Sequence, residues 1–144
     1  MVEQDTIRLL RECDAGIKMG VDSINDVREY AKSAELKDAL TECKSKHERL
    51  KDELQQALDR FGGGGKNPNP VAKSMSSIKT NFKLGIDMSD ATIADLITDG
   101  CNMGIKSLSK YLNEYKAADE KAKDLTKKLI SQEQLLVERV RPYL

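Results

Sequence analysis

Apolar and small residues recur at steps of three and four along four stretches of the chain, with polar residues between them. Over residues 4–32 the series is Leu10, Cys13, Ile17, Gly20, Ile24, Val27 and Ala31. Over 34–61 it is Leu36, Leu40, Cys43, His47, Leu50, Leu54, Ala57 and Phe61. Over 90–115 it is Ile93, Ile97, Cys101, Gly104, Leu108, Tyr111 and Tyr115, and over 119–140 Ala122, Leu125, Leu129, Leu136 and Val140. Each series traces one face of an α-helix. The period lies near about 3.5 residues, as in bundles whose helices cross at small angles. No stretch alternates in β-branched residues, so the pattern predicts an all-α chain.

The breaks between these stretches predict the topology. At the first, Ser33 is placed to cap a helix start, with Glu35 in the first turn where the helix dipole favours an acid. The last break falls near Lys116, Ala117, Ala118 and Asp119. Both joints are short enough to require antiparallel neighbours. The middle break is different. The run Gly62-Gly63-Gly64-Gly65 ends the second helix, and Asn67-Pro68-Asn69-Pro70 keeps the chain extended. A shorter helical piece at 71–82 then leads to Gly85, and Ser89 with Asp90 opens the third helix. The chain therefore reads as one domain: a hairpin over 4–61, a crossover over 62–88 and a second hairpin over 89–141. Two antiparallel hairpins joined by one long crossover with a short helix make a ferritin-like four-helix bundle.

The two hairpins repeat each other. Cys13-Asp14-Ala15-Gly16-Ile17-Lys18 matches Cys101-Asn102-Met103-Gly104-Ile105-Lys106, and, two residues having been lost, Lys37-Asp38 matches Lys123-Asp124 and Leu50 matches Leu136. Glycine inside a helix costs roughly 0.5–1 kcal/mol relative to alanine. Its recurrence at Gly16 and Gly104 therefore points to a close approach by a neighbouring helix or side chain.

Composition narrows the function classes. The chain has 144 residues, enough for one core, and its 24 Lys and Arg balance 24 Asp and Glu. A balanced charge and 4% aromatic residues argue against a nucleic-acid field or a base-stacking platform. No apolar run is long enough for a membrane span, and the opening Met-Val-Glu-Gln-Asp is unlike a secretory signal, so a cytoplasmic address is expected. Cys13, Cys43 and Cys101 are odd in number and widely spaced, as expected of reduced thiols that pack as small hydrophobes.

Residues 5–115, and more weakly the last helix, resemble an uncharacterised bacterial family of four-helix bundles in the ferritin-like superfamily. The resemblance is carried by Leu9-Leu10-Arg11-Glu12-Cys13-Asp14-Ala15-Gly16, by Glu35-Leu36-Lys37 through His47, and by Leu50 to Leu58 followed by Phe61-Gly62-Gly63. Ser74 to Leu84, then Asp87, Asp90 and Ile93, and finally Cys101, Gly104 and Tyr111 continue it. It implies a bundle fold that assembles into oligomers and carries no assigned reaction.

Di-iron chemistry in such bundles uses a Glu from each of two helices and a Glu-x-x-His from each of the other two. This chain departs from that set. His47 is the only histidine and has Lys44, not Glu, three residues before it. Glu133 stands in the repeat at the place of His47, while Asp14 and Asn102 stand where longer carboxylates are required. The candidate ligands for a remodelled metal site are therefore Glu42, His47, Glu133 and Asp14. The competing reading is a buried His47 hydrogen-bonded to a carboxylate such as Glu133. Pairing about the first joint places His47 opposite Met19 and Gly20.

No catalytic signature is present. Gly62 to Gly65 lacks the strand before it and the Gly-Lys-Ser/Thr of a phosphate loop, and there is no Gly-x-Ser-x-Gly. Five basic residues between 60 and 86 (Arg60, Lys66, Lys73, Lys79, Lys83) precede four aspartates between 87 and 105. That segregation suits either a docking surface or a solvated connector before an acidic helix start. The expectation is a non-enzymatic structural or interaction bundle that forms a homo-oligomer, without a cofactor. The alternative is a metal-binding or redox protein using the remodelled core site.

Overall fold

A computed structural model describes residues 2–62 and 87–144. Four long helices pack against one another, and the described residues contain no strand: α1 (Val2–Val27), α2 (Ala34–Asp59), α3 (Asp90–Glu114) and α4 (Glu120–Val140). The four apolar series form the core. Leu10, Cys13, Ile17, Ile24 and Val27 are buried from α1, and Leu36, Leu40, Cys43, His47, Leu50, Leu54 and Ala57 from α2. All five positions expected of α4 are buried, joined by Thr126 and Glu133. The expected glycine run beyond Gly62, the Asn-Pro segment and the helical piece at 71–82 lie outside the described residues.

The helix starts are capped by the residues that the pattern singled out. Ser33 accepts a hydrogen bond from the Leu36 amide, Ser89 from Thr92 and Asp119 from Ala122. The caps Ser33 and Asp119 are 86 positions apart, as are Leu36 and Ala122, so the repeat extends to the caps. At the end of α2, Gly62 takes a positive φ of 67°, and its amide reaches the Asp59 carbonyl, closing the last turn.

One boundary differs from the periodicity. The apolar series continues to Ala31, yet α1 ends at Val27, followed by a single 3₁₀ turn over Arg28–Tyr30. Ala31 is buried but extended, with φ −65° and ψ 128°. The Asp90 carboxylate accounts for this: Oδ1 accepts the Lys32 amide at 2.8 Å and Oδ2 the Ser33 amide at 3.0 Å. Two charge-assisted bonds from the start of α3 satisfy the joint outside a helix. The other joint uses the same device, because Asp5 accepts the Ala117 amide at 3.1 Å and Thr6 the Asp119 amide at 2.8 Å.

Around the bundle α1 neighbours α2, α2 neighbours α4, α4 neighbours α3, and α3 closes back on α1. That last contact is the least extensive of the four. The contacts Thr6 to Asp119, Cys13 to Thr126 and Gly20 to Glu133 rise together along α1 and α4. Those of Glu53 with Lys128, His47 with Glu133 and Glu42 with Arg139 run in opposite senses along α2 and α4.

The core divides into two clusters. One holds Ile24, Leu40, Cys43, Ile97, Cys101 and Leu136; the other holds Ile17, Leu50, Leu108 and Leu129. Between them, one layer of the bundle carries Gly20, His47, Gly104 and Glu133. It replaces four apolar side chains with two glycines and a pair of ionisable groups.

Candidate functional site

His47 and Glu133 meet in that layer. His47 is 1% exposed and Glu133 8%. The His47 Nε2 lies 2.9 Å from Glu133 Oε1, and its Nδ1 lies 3.7 Å from Cys43 Sγ. The first helix joint sets this geometry: a Cβ on Gly20 would come within 3.2 Å of the imidazole, so the ring packs close to the α1 backbone. A Cβ on Gly104 would stand 3.9 Å from Glu133 and one on Gly16 3.8 Å from Leu129, which are ordinary contacts, so the close approach expected of the repeated glycines is found at Gly20 and not at these two positions.

Burial disfavours a charged imidazole, but the bonds to Cys43 and Glu133 outweigh it and push the His47 pKa up to about 10. At neutral pH the ring is an imidazolium with both N–H groups donating, one to the Glu133 carboxylate and one to the Cys43 sulfur. The thiols of Cys13 and Cys101 are also held protonated. Burial pushes Cys13 up to about 12. Burial and then the adjacent Glu133 charge push Cys101 well above the thiol range, with its S–H donating to the Glu133 carboxylate. The Thr126 hydroxyl gives its proton to the Ala122 carbonyl, so at 3.1 Å the Cys13 thiol donates to Thr126 Oγ1. The three cysteines are free and buried, as the composition suggested.

The four candidate ligands do not gather. His47 and Glu133 meet. Glu42 pairs instead with Arg139 on the outside of the α2–α4 contact. Asp14 is buried at 1% exposure and faces Lys18 one turn along α1, at 2.8 Å. The reason is angular. Glu42 precedes Cys43 by one residue, about 100° around the helix, and so leaves the buried face that Cys43 and His47 share. Among the described residues, no group of three or more His, Cys, Asp or Glu side chains is arranged to hold a metal ion.

What sequence reasoning missed is a cleft. A cavity of about 300 Å³ opens between α1 and α3, with His47, Cys43, Cys101 and Glu133 at its floor. Gly16, Gly20, Gly100 and Gly104 lie along its two walls, and Ile24, Ile97, Leu108, Leu129 and Leu136 supply apolar surface. The recurrent glycines were a signal for it, since two helices that both lack side chains along one line leave space there.

Comparisons with family models, with curated proteins and with solved structures found no match. No helix among the described residues is long and apolar enough to cross a membrane.

Proposed function

We propose that the protein is a non-enzymatic interaction bundle, with two antiparallel hairpins in a ferritin-like arrangement and no di-iron centre. The opposed contact order along α2 and α4 and the short joints support that topology. The observation that carries the functional reading is the closed pair at the core. The one histidine and the one carboxylate that meet there neutralise each other, and the neighbouring thiol donates into the same carboxylate. Within this layer of the described residues, His47 and Glu133 are engaged with each other and are not poised as base, nucleophile or open ligand. A protein of this kind acts by what it binds and how it assembles. A cytoplasmic homo-oligomer of bacterial origin is the form proposed.

The test is elemental analysis of untagged protein prepared anaerobically with iron, zinc, copper and manganese, together with light scattering. Metal-free protein of a defined oligomeric mass is expected. Stoichiometric metal that disappears in His47→Ala would replace this reading with the metalloprotein alternative. Glu42 and Asp14 do not contribute to it.

A further inference from the structure

The cleft between α1 and α3 has its own chemistry, independent of how the bundle assembles. Its volume of about 300 Å³ is about twice that of an engineered apolar cavity that takes up benzene. Met103 is 54% exposed and Ser107 is exposed beside it, which marks an entrance along α3. The described residues that line it include no Lys and no Arg. Its polar floor is already satisfied: Glu133 accepts from His47 and Cys101, and His47 donates to Glu133 and Cys43. Glu12 at the lining has an interaction of its own.

We propose that this cleft is a binding site for a neutral, flat, apolar molecule about two fused rings in size. Three features select for it. The glycines at positions 16 and 20 of α1 and 100 and 104 of α3 remove side chains from both walls, leaving a slot that suits a plane better than a branched chain. The sulfurs of Met19, Met103 and Cys101 line the slot and favour contact with aromatic rings. The closed His47–Glu133 pair presents no free counter-charge, so a charged ligand would lose its hydration without compensation. An apolar ring, in contrast, gains from leaving water.

The experiment titrates the full chain with naphthalene and indole, and with 1-naphthylmethylamine and naphthalene-1-sulfonate as charged partners. Amide shifts by NMR and calorimetry are the readouts. Saturable one-to-one binding of the neutral rings is expected, with shifts centred on the amides of Gly16, Gly20, Gly100 and Gly104. Both charged analogues should bind at least tenfold more weakly. Gly100→Phe should abolish the response, because a side chain at that position meets nothing within 4 Å and can turn into the slot. Ser107→Phe, at the entrance, provides a second block if Gly100→Phe does not fold. Absence of binding by either neutral ring, tighter binding of a charged analogue, or unchanged binding in a folded blocking variant would each overturn the proposal. None of these outcomes bears on metal content or oligomeric mass, so this proposal and the one above fail separately.

Discussion

The α1–α2 pair and the α3–α4 pair repeat each other in sequence but have different surroundings. Cys13 and Cys101 occupy matched positions. Cys13 is sealed against α4, where its thiol bonds to Thr126, while Cys101 sits at the floor of a cleft beside Glu133. Across the bundle α1 contacts α4, with Gly16 beside Leu129, and among the described residues no comparable contact joins α3 to α2. The matched residues His47 and Glu133 are chemically opposite, so the repeat meets itself as an ion pair. The lesson is that a repeated helix pair specifies which faces are buried, whereas the packing of one pair on the other decides where the space goes. Here the contact of α1 with α3 is the least extensive of the four around the bundle, and the opening falls there.

The sharpest way to break this comparison is to remove one half of the ion pair. Glu133→Leu removes the partner that keeps His47 charged, leaving a buried imidazole without its acceptor, and breaking a buried pair costs up to about 3–5 kcal/mol. His47→Leu/Glu133→Leu, which restores an apolar layer between the two clusters, should recover most of that loss and is expected to match or exceed the wild type. Urea denaturation of the three chains at pH 7 tests this. A double variant as unstable as the single one would show that the layer is held by shape and not by charge.

Titration sharpens the same contrast. The His47 pKa is raised on folding, from an ordinary value of about 6.5 to about 10. The protonated form is the one that the fold favours. Its contribution is full below about pH 6.5 and is lost as pH rises through the folded value, at up to about 1.4 kcal/mol per unit. Stability measured between pH 6.5 and about 8, below the range where the thiols of Cys13 and Cys101 lose protons in the unfolded chain, should therefore fall, and His47→Gln should remove that slope. A slope that persists in His47→Gln would assign it to another group.

The two joints offer a smaller comparison. Asp90→Ala removes the acceptor for two amides at the first joint and should cost about 1–3 kcal/mol, since bonds to charged groups are the stronger ones. Thr6→Val removes one neutral acceptor at the second joint and should cost about 1 kcal/mol. Thermal melts of both variants check the order. Equal losses would mean that the carboxylate clamp has no advantage over the hydroxyl.

Glycine substitutions give the smallest effects and differ in sign. Gly100→Ala, with open space around the new methyl group, should stabilise by roughly 0.5–1 kcal/mol through better helix formation. Gly20→Ala presses a methyl group to 3.2 Å from an imidazole tethered at both nitrogens, and the helix gain should be reversed. Two stabilised variants would show that the His47 ring can yield.

Much of the fold was legible in the chain because it depends on local rules. Apolar residues at steps of three and four identify the buried faces of all four helices, and Ser33, Ser89 and Asp119 mark three of the helix starts through bonds spanning three residues. The candidate site was half legible. His47 lies on an apolar seam and Glu133 matches it in the repeat, so both could be named. Glu42 and Asp14 do not join them, because a carboxylate near a seam can turn outward to an arginine or along its own helix to a lysine.

The sequence by itself thus determined four amphipathic helices, their caps and the repeat, since periodicity and capping act within a few residues. Tertiary structure alone decided that α1 would stop at Val27, because that depends on Asp90, which lies 57 or 58 positions from the amides it binds. It also decided that His47 would carry its charge, because that charge depends on a carboxylate 86 positions away and on the exclusion of water around both. The cleft belongs to the same class: glycines on two helices leave a volume only when those helices face each other across a loosely packed contact.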